Sequence, residues 1–250
     1  MNNIAAAAPL WEVSLLTMFP EMFPGPLGYS LIGKALEQNK WSLNTINIRE
    51  YAQDKHANVD DTTFGGGNGM IMKPNVIGSA IDEAKKIYQP SSIIYMSPRG
   101  KLLTQNKIRE LICQKSILII CGRFEGLDER VIDEYDVEEI SLGDFVLAGG
   151  EIASLALIEA CVRLLPGVLE RQETLFEESF GEAEDYRHLL EYPQYTRPSI
   201  WKEYPVPDIL LSGNHAAIRK WRLSKAQELT QQRRPDLWAE YQKWLELRNK

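Results

Sequence analysis

Hydrophobic and polar positions follow two periods along this chain. Trp11 to Met18 reads as a strand, and Leu43 to Ile48 alternates with a period of two, as a second strand does. Pro20, Pro24, Gly25 and Pro26 interrupt the first, and a helix is expected from Leu27 to Asn39. From Asn75 to Tyr88 the apolar residues Val76, Ile77, Ala80, Ile81, Ala84 and Ile87 share one wide face, which predicts a helix. Ser92 to Ser97 predicts a strand closed by Pro98-Arg99-Gly100, and Thr104 is placed to cap a helix running to Cys113. Ser116 to Cys121 is a continuous apolar run, the mark of a strand covered on both faces. A helix through Glu134 and a strand into Ile140 follow. Strand–helix–strand repetition at this spacing predicts an α/β fold, a parallel sheet with helices on both faces.

In such sheets ligands bind beyond the carboxyl ends of the strands. Three consecutive predicted strands end in unusual loops: Ser97 to Gly100, Gly122 to Gly126, and Leu142 to Gly150. The last holds Gly143, Gly149 and Gly150 around the apolar run Phe145-Val146-Leu147, with Asp144 beside the first glycine. Glycine permits tight bends and close backbone approach. The stretch therefore reads either as a strand-to-helix turn or as a loop that grips a flat ligand, and the two neighbouring loops favour the ligand. A second glycine loop, Phe64 to Met70, has glycine at four of five successive positions and lacks the Gly-Lys-Ser/Thr of a phosphate loop. No GxGxxG fingerprint is present, which disfavours a nicotinamide cofactor.

The helix predicted from Glu151 to Leu165 is apolar nearly all round, so it is expected in the core or against another subunit. Arg163 is its lone cation. It reads either as a charge favoured at a helix C-terminus or as an anion-binding arginine. Residues 170–190 are acid-rich and read as a linker. Beyond them, Pro- and aromatic-rich segments lead to a helix from Asn214 to about Arg233, with Ile218, Trp221 and Leu229 on its expected inner face. A last helix opens at Pro235, with Leu237, Tyr241 and Trp244 as its stripe.

Charge divides the chain unevenly. The net charge is −7, from 28 Lys+Arg and 35 Asp+Glu. Residues 191–250 hold 11 basic and 7 acidic residues, a net of +4, which leaves 17 and 28, a net of −11, for residues 1–190. A basic tail next to an acidic body suits contact with phosphates, although a basic helix face is also simply well solvated. The three cysteines, Cys113, Cys121 and Cys161, lie in or beside apolar runs without CxxC spacing and are expected to be buried thiols of a cytoplasmic protein. No metal site is expected, because the three histidines are far apart, and no secretory signal or membrane span is read.

The loops together resemble the bacterial tRNA (guanine-N1)-methyltransferases of the SPOUT superfamily. The matching pieces include Leu16 to Phe23, Phe64 to Met70, Tyr95 to Gly100, Cys121 to Arg130, Ser141 to Glu151, Arg163 to Gly167, Tyr192 to Pro198 and Leu210 to Arg222, in family order. The resemblance implies a domain at 11–169 after an extension at 1–10, with a deep trefoil knot in its C-terminal part. It also implies a linker at 170–190 and a helical tRNA-binding domain at 191–250. It implies S-adenosylmethionine held by Tyr95, Ser97, Pro98, Gly100, Gly122, Glu125, Leu142, Gly143, Asp144, Phe145, Val146, Leu147, Gly149 and Gly150. The substrate would be tRNA, contacted by Gly66, Gly67, Glu191, Tyr195, Arg197, Ser212, Asn214, His215, Arg219 and Arg222. A homodimer with shared active sites is implied, with Mg²⁺ as an accompanying ion.

The same resemblance implies two catalytic residues, Arg163 and a linker carboxylate. The family's aspartate is replaced here by glutamate in Glu178-Ser179-Phe180, so Glu178 is the expected base, with Glu177 and Asp185 as alternatives. Asn68 stands where the family commonly has proline. Competing readings are a SPOUT enzyme acting on another RNA and a non-catalytic RNA-binding module.

Overall fold

Five parallel strands in the order β2-β1-β6-β5-β7 organise the first of two compact units, Met1–Glu170; the second is Arg171–Lys250. The computed structural model describes residues 8–66, 69–171, 174–181 and 183–248, so residues 1–7 of the expected extension, Gly67 and Asn68 lie outside the described residues. In chain order the first unit runs β1 (Trp11–Thr17), α1 (Ser30–Glu37), β2 (Trp41–Asn47), β3 (Asp60–Thr62), β4 (Met70–Met72), α2 (Pro74–Tyr88), β5 (Ser92–Leu102), α3 (Gln105–Ile112), β6 (Ser116–Ile120), α4 (Glu129–Tyr135), β7 (Glu138–Ser141) and α5 (Glu151–Val162).

Alternation across the sheet divides the core in two. Ile117 and Ile119 of β6 face the layer of α1, α3 and α5, while Leu118 and Ile120 face α2 and α4. All five residues of β6 are buried, as expected for a central strand covered on both faces. The two buried indoles each find an acceptor. Trp11 Nε1 donates to the Leu111 carbonyl at 3.2 Å and Trp41 Nε1 to that of Ile32 at 3.1 Å. Thr104 caps α3 through Lys107 N at 3.3 Å, and Asp128 caps α4 through Arg130 N at 3.0 Å.

Two expectations need correction here, and one hairpin was not foreseen. The strand closed at Ser97 in fact continues to Leu102. Met96 and Lys101 both register with Ile140 of β7, so residues 97–100 bulge out and the strand resumes. Gly100 makes that return possible, because a Cβ there would sit 2.4 Å from the Glu139 carbonyl carbon. The long polar segment before Met72 contains an antiparallel hairpin, β3 with β4. Cys113, expected to be buried, is exposed at the end of α3, while Cys121 and Cys161 are buried. α5 packs Leu157, Ile158, Cys161 and Val162 into the core and leaves Ile152, Ala156 and Glu159 on its exposed side.

The second unit comprises α6 (Thr174–Glu177), a small hairpin of β8 (Ile200–Trp201) and β9 (Tyr204–Pro205), α7 (Asp208–Leu211), α8 (His215–Arg233) and α9 (Pro235–Arg248). Its core is Tyr186, Leu189, Tyr192, Ala226 and Tyr241, with Leu223, Trp238, Trp244 and Leu245 against them. The stretch read as a linker thus contributes Tyr186 and Leu189 to this core. The buried residues of α8 are Ala226 and Thr230, and Leu223 and the expected Ile218, Trp221 and Leu229 are part-buried. Thr230 can be buried because its hydroxyl donates to the Ala226 carbonyl at 2.7 Å and accepts from Leu190 N at 2.8 Å. Among the described residues no helix is long and apolar enough to cross a membrane.

Candidate active site

β5 lies between β6 and β7, so the chain passes over β5 in going from β6 to β7. Order reversals of this kind open a crevice at the carboxyl ends of the strands. A cavity of about 390 Å³ occupies that place, within the usual range for small-ligand sites. It is lined by Tyr95, Ser97, Pro98, Gly122, Glu125, Leu142, Gly143, Phe145, Val146, Leu147, Gly149 and Gly150, all expected from the sequence to hold the cofactor. Gly100 and Asp144 do not line it. Gly100 is pressed on β7, and Asp144 is exposed. Arg99, Arg123, Phe124 and Ile140 line it without having been expected.

Glycines shape the cavity by close approach. A Cβ on Gly122 would lie 2.5 Å from the Tyr95 ring, and one on Gly150 would lie 2.9 Å from Cys121 Cα. Tyr95 is buried, and that burial raises its phenol above the ordinary value, with Glu139 adding to the effect. The far wall is apolar yet open. Phe145 is 53% exposed and Val146 83%, although both are large hydrophobic side chains. Apolar surface left bare inside a concave, glycine-lined site fits a flat heterocycle, and Glu125, Arg99 and Arg123 also line it, Arg99 paired with Glu129 and Glu139.

A buried ionic network anchors the end of the Leu142–Gly150 loop. Glu151, the first residue of α5, is 1% exposed. Its Oε1 accepts from Thr17 Oγ1 at 3.0 Å and from Arg123 Nε at 3.2 Å. Oε2 meets Arg123 Nη2 at 2.8 Å as an ion pair but takes no directed hydrogen bond. Arg123 also donates to the Ala148 carbonyl at 3.3 Å and stacks over Phe19 at 4.5 Å. Three loops, after β1, β6 and β7, therefore meet at one guanidinium. The periodicity gave no sign of this pair, because an acid at the N-terminus of a helix ordinarily reads as an exposed charge favoured by the dipole.

The glycine loop between β3 and β4 reaches the same neighbourhood. Glu125 N donates to the Met70 carbonyl at 2.9 Å, and a Cβ on Gly69 would lie 2.5 Å from Glu125 Cγ. Gly66 sits at the exposed tip with φ +81°, its carbonyl accepting from Thr63 Oγ1 at 3.3 Å.

Arg163 is half-buried and ends α5 in the first unit, whereas Glu178 belongs to the second. The Glu178-Ser179-Phe180 triplet is tied down there. The Glu178 carbonyl accepts from Gly181 N at 2.8 Å, and Ser179 Oγ accepts from Glu191 N at 2.9 Å. Of the alternative carboxylates, Glu177 accepts from the Tyr192 hydroxyl at 3.2 Å and faces Arg222 at 3.9 Å, and Asp185 pairs with Arg248 at 3.0 Å.

The remaining expected tRNA residues spread over the second unit. Tyr195, Arg197 and Arg222 line one cavity. Glu191 accepts from Gln194 Nε2 at 2.6 Å. Ser212 and Asn214 cap locally, Ser212 Oγ accepting from Asn214 N at 3.1 Å and Asn214 Oδ1 from Ala217 N at 3.1 Å. His215 and Arg219 are exposed on the first turns of α8. Among the described residues no group of three or more His, Cys, Asp or Glu could hold a metal ion.

Comparison with known proteins identifies the family. The family model described as tRNA (Guanine-1)-methyltransferase TrmD matches residues 11–240. A tRNA (guanine-N(1)-)-methyltransferase of Rhodopseudomonas palustris (strain BisB18) is 54% identical over 229 residues, 92% of this chain and 89% of the relative. One of Ehrlichia canis (strain Jake) is 53% identical over 226 residues, 90% of this chain and 94% of the relative. One of Nitrobacter winogradskyi is 54% identical over 231 residues, 92% and 93% of the two chains. The chain belongs to the tRNA (guanine-1)-methyltransferase TrmD family.

Proposed function

We propose that this protein transfers a methyl group from S-adenosylmethionine to N1 of guanine 37, the nucleotide 3′ of the anticodon, in tRNA. The observation that carries the reading is the cavity at the ends of β5, β6 and β7, lined by twelve residues that the resemblance assigns to the methyl donor. Bound there, S-adenosylmethionine would supply a methyl group on a sulfonium, open to in-line displacement. The protein's task is then largely positioning. Phe145, Val146 and Leu147 would cover the adenine, and the glycines let main chain approach it.

Guanine N1 carries a proton and is a poor nucleophile until that proton leaves. Glu178 takes it as general base, and Arg163 steadies the negative charge that develops on O6. Residues 170–190 carry the base, and 191–250 together with the glycine loop at Gly66 and Gly67 make the tRNA contacts. The knotted threading, a homodimer with shared active sites and work in the cytoplasm, where tRNA is found, belong to the same reading. The exposed Ile152 and Ala156 of α5 support such a subunit contact.

A Glu178→Gln protein is expected to bind S-adenosylmethionine normally and to lose methyl transfer by about 10²-fold or more. Near-normal turnover would remove Glu178 from the role.

A further inference from the structure

The second unit holds a cavity of about 730 Å³ that the transfer chemistry leaves unused. It shares no lining residue with the cavity of the first unit, and neither Arg163 nor Glu178 lines it. Its wall includes three aromatic rings, Tyr192, Tyr195 and Trp221, and two arginines, Arg197 and Arg222, with no aspartate or glutamate among the lining residues. The rings of Tyr195 and Trp221 are 6.2 Å apart and tilted by 57°, so they form a wedge and leave ring surface uncovered. Tyr195 is 47% exposed even with an indole beside it. Arg222 is fixed in place, stacked 4.8 Å over the Tyr192 ring and 3.9 Å from Glu177. Its partner is further held by the Tyr192 hydroxyl at 3.2 Å. A concave site with open aromatic faces, one guanidinium held in place, a second arginine in its wall and no lining carboxylate suits a flat ligand that carries negative charge.

We propose that this cavity takes one unstacked nucleotide of the bound tRNA other than the guanine that receives the methyl group. Its base would lie against Tyr195 and Trp221, and its phosphate would meet Arg197 and Arg222. The inference rests on the tRNA reading above and adds a second point of nucleotide recognition to it.

The test uses the full chain and tRNA transcripts that each lack one base at an unpaired position. Dissociation constants are measured across a salt series. Tyr195→Ala should weaken binding of intact tRNA about 5- to 150-fold with the salt slope unchanged, as loss of one stacked base does. Arg197→Ala should lower the slope by about one unit, as loss of one phosphate contact does. One abasic position should weaken the wild type and leave Tyr195→Ala unaffected. Tyr195→Phe should bind within about twofold of wild type, because the ring and not the hydroxyl stacks, whereas Tyr195→Leu should fail. Wild-type affinity in Tyr195→Ala and Tyr195→Leu, or equal losses at every abasic position, would overturn the pocket. Methyl transfer to the intact transcript reports separately on the reading beneath it. Transfer without position-specific coupling overturns the pocket alone, and coupling without transfer keeps the pocket and overturns the reading.

Discussion

Replacing Arg123 by methionine keeps an unbranched stem, removes the guanidinium and strands a carboxylate. Glu151 is 1% exposed, so its charge has almost no water to turn to. It would retain the Thr17 hydroxyl at 3.0 Å and lose both the 2.8 Å ion pair and the 3.2 Å hydrogen bond. Breaking a buried pair from one side costs about 3–5 kcal/mol, mostly the penalty of the charge left behind. The stacking of Arg123 on Phe19 adds about 0.5–1 kcal/mol, part of which a methionine sulfur on the ring recovers. A loss of about 3–5 kcal/mol is therefore expected for the first unit. Trp11 and Trp41 are both buried in that unit, so urea unfolding can be followed there by the fluorescence of a variant in which Trp201, Trp221, Trp238 and Trp244 are replaced. Adding Glu151→Gln should restore about 2 kcal/mol, because a neutral amide is less costly to bury unpaired. A loss below about 1 kcal/mol in the single variant, or a double variant no more stable than the single, would refute the reasoning. The same variant should bind S-adenosylmethionine more weakly, since Arg123 also holds the Ala148 carbonyl at 3.3 Å.

Two further outcomes follow from buried polar groups. The Tyr186 hydroxyl is buried and has no hydrogen-bond partner among the described residues, and burial pushes its phenol up to about 12. Tyr186→Phe should therefore be neutral or stabilising by up to about 1 kcal/mol in urea unfolding, and a clear loss of stability would reveal an unrecognised partner. Burial also pushes the Cys121 and Cys161 thiols up to about 12 from 9.0. The folded state keeps these protons after unfolded thiols have ionised, so their contribution to stability is full below about pH 9 and is lost as the pH rises towards about 12. At pH 8 a thiol reagent should modify the exposed Cys113 rapidly and the other two only after denaturation. Fast labelling of all three in the native protein would contradict the burial.

Much of the sheet was legible because strand burial writes itself into residue type. Ser116 to Cys121 could hardly be anything but a central strand, and the three loops that follow successive strands pointed to one crevice. The bulge in β5 was not legible. Pro98 and Gly100 look like a terminus, and only the approach of β7 shows that glycine there lets the strand resume. The Arg123–Glu151 pair was hidden for a related reason. Both residues are charged, and nothing in their spacing says that two loops will fold over them. In the second unit the two fully buried positions of α8 were not legible because they are small or polar. Ala226 and Thr230 carry little apolar area, and Thr230 belongs in the core only because Leu190 N and the Ala226 carbonyl satisfy its hydroxyl. The role proposed for Glu178 came through resemblance and could not have come from pattern, since an acid-rich stretch offers several equal carboxylates.

The most direct test is transfer of labelled methyl from S-adenosylmethionine to two tRNA transcripts that differ only in carrying guanine or adenine immediately 3′ of the anticodon. The account predicts label as N1-methylguanine in the first and none in the second. Equal labelling of both, or no labelling of either with S-adenosylmethionine bound, would contradict it.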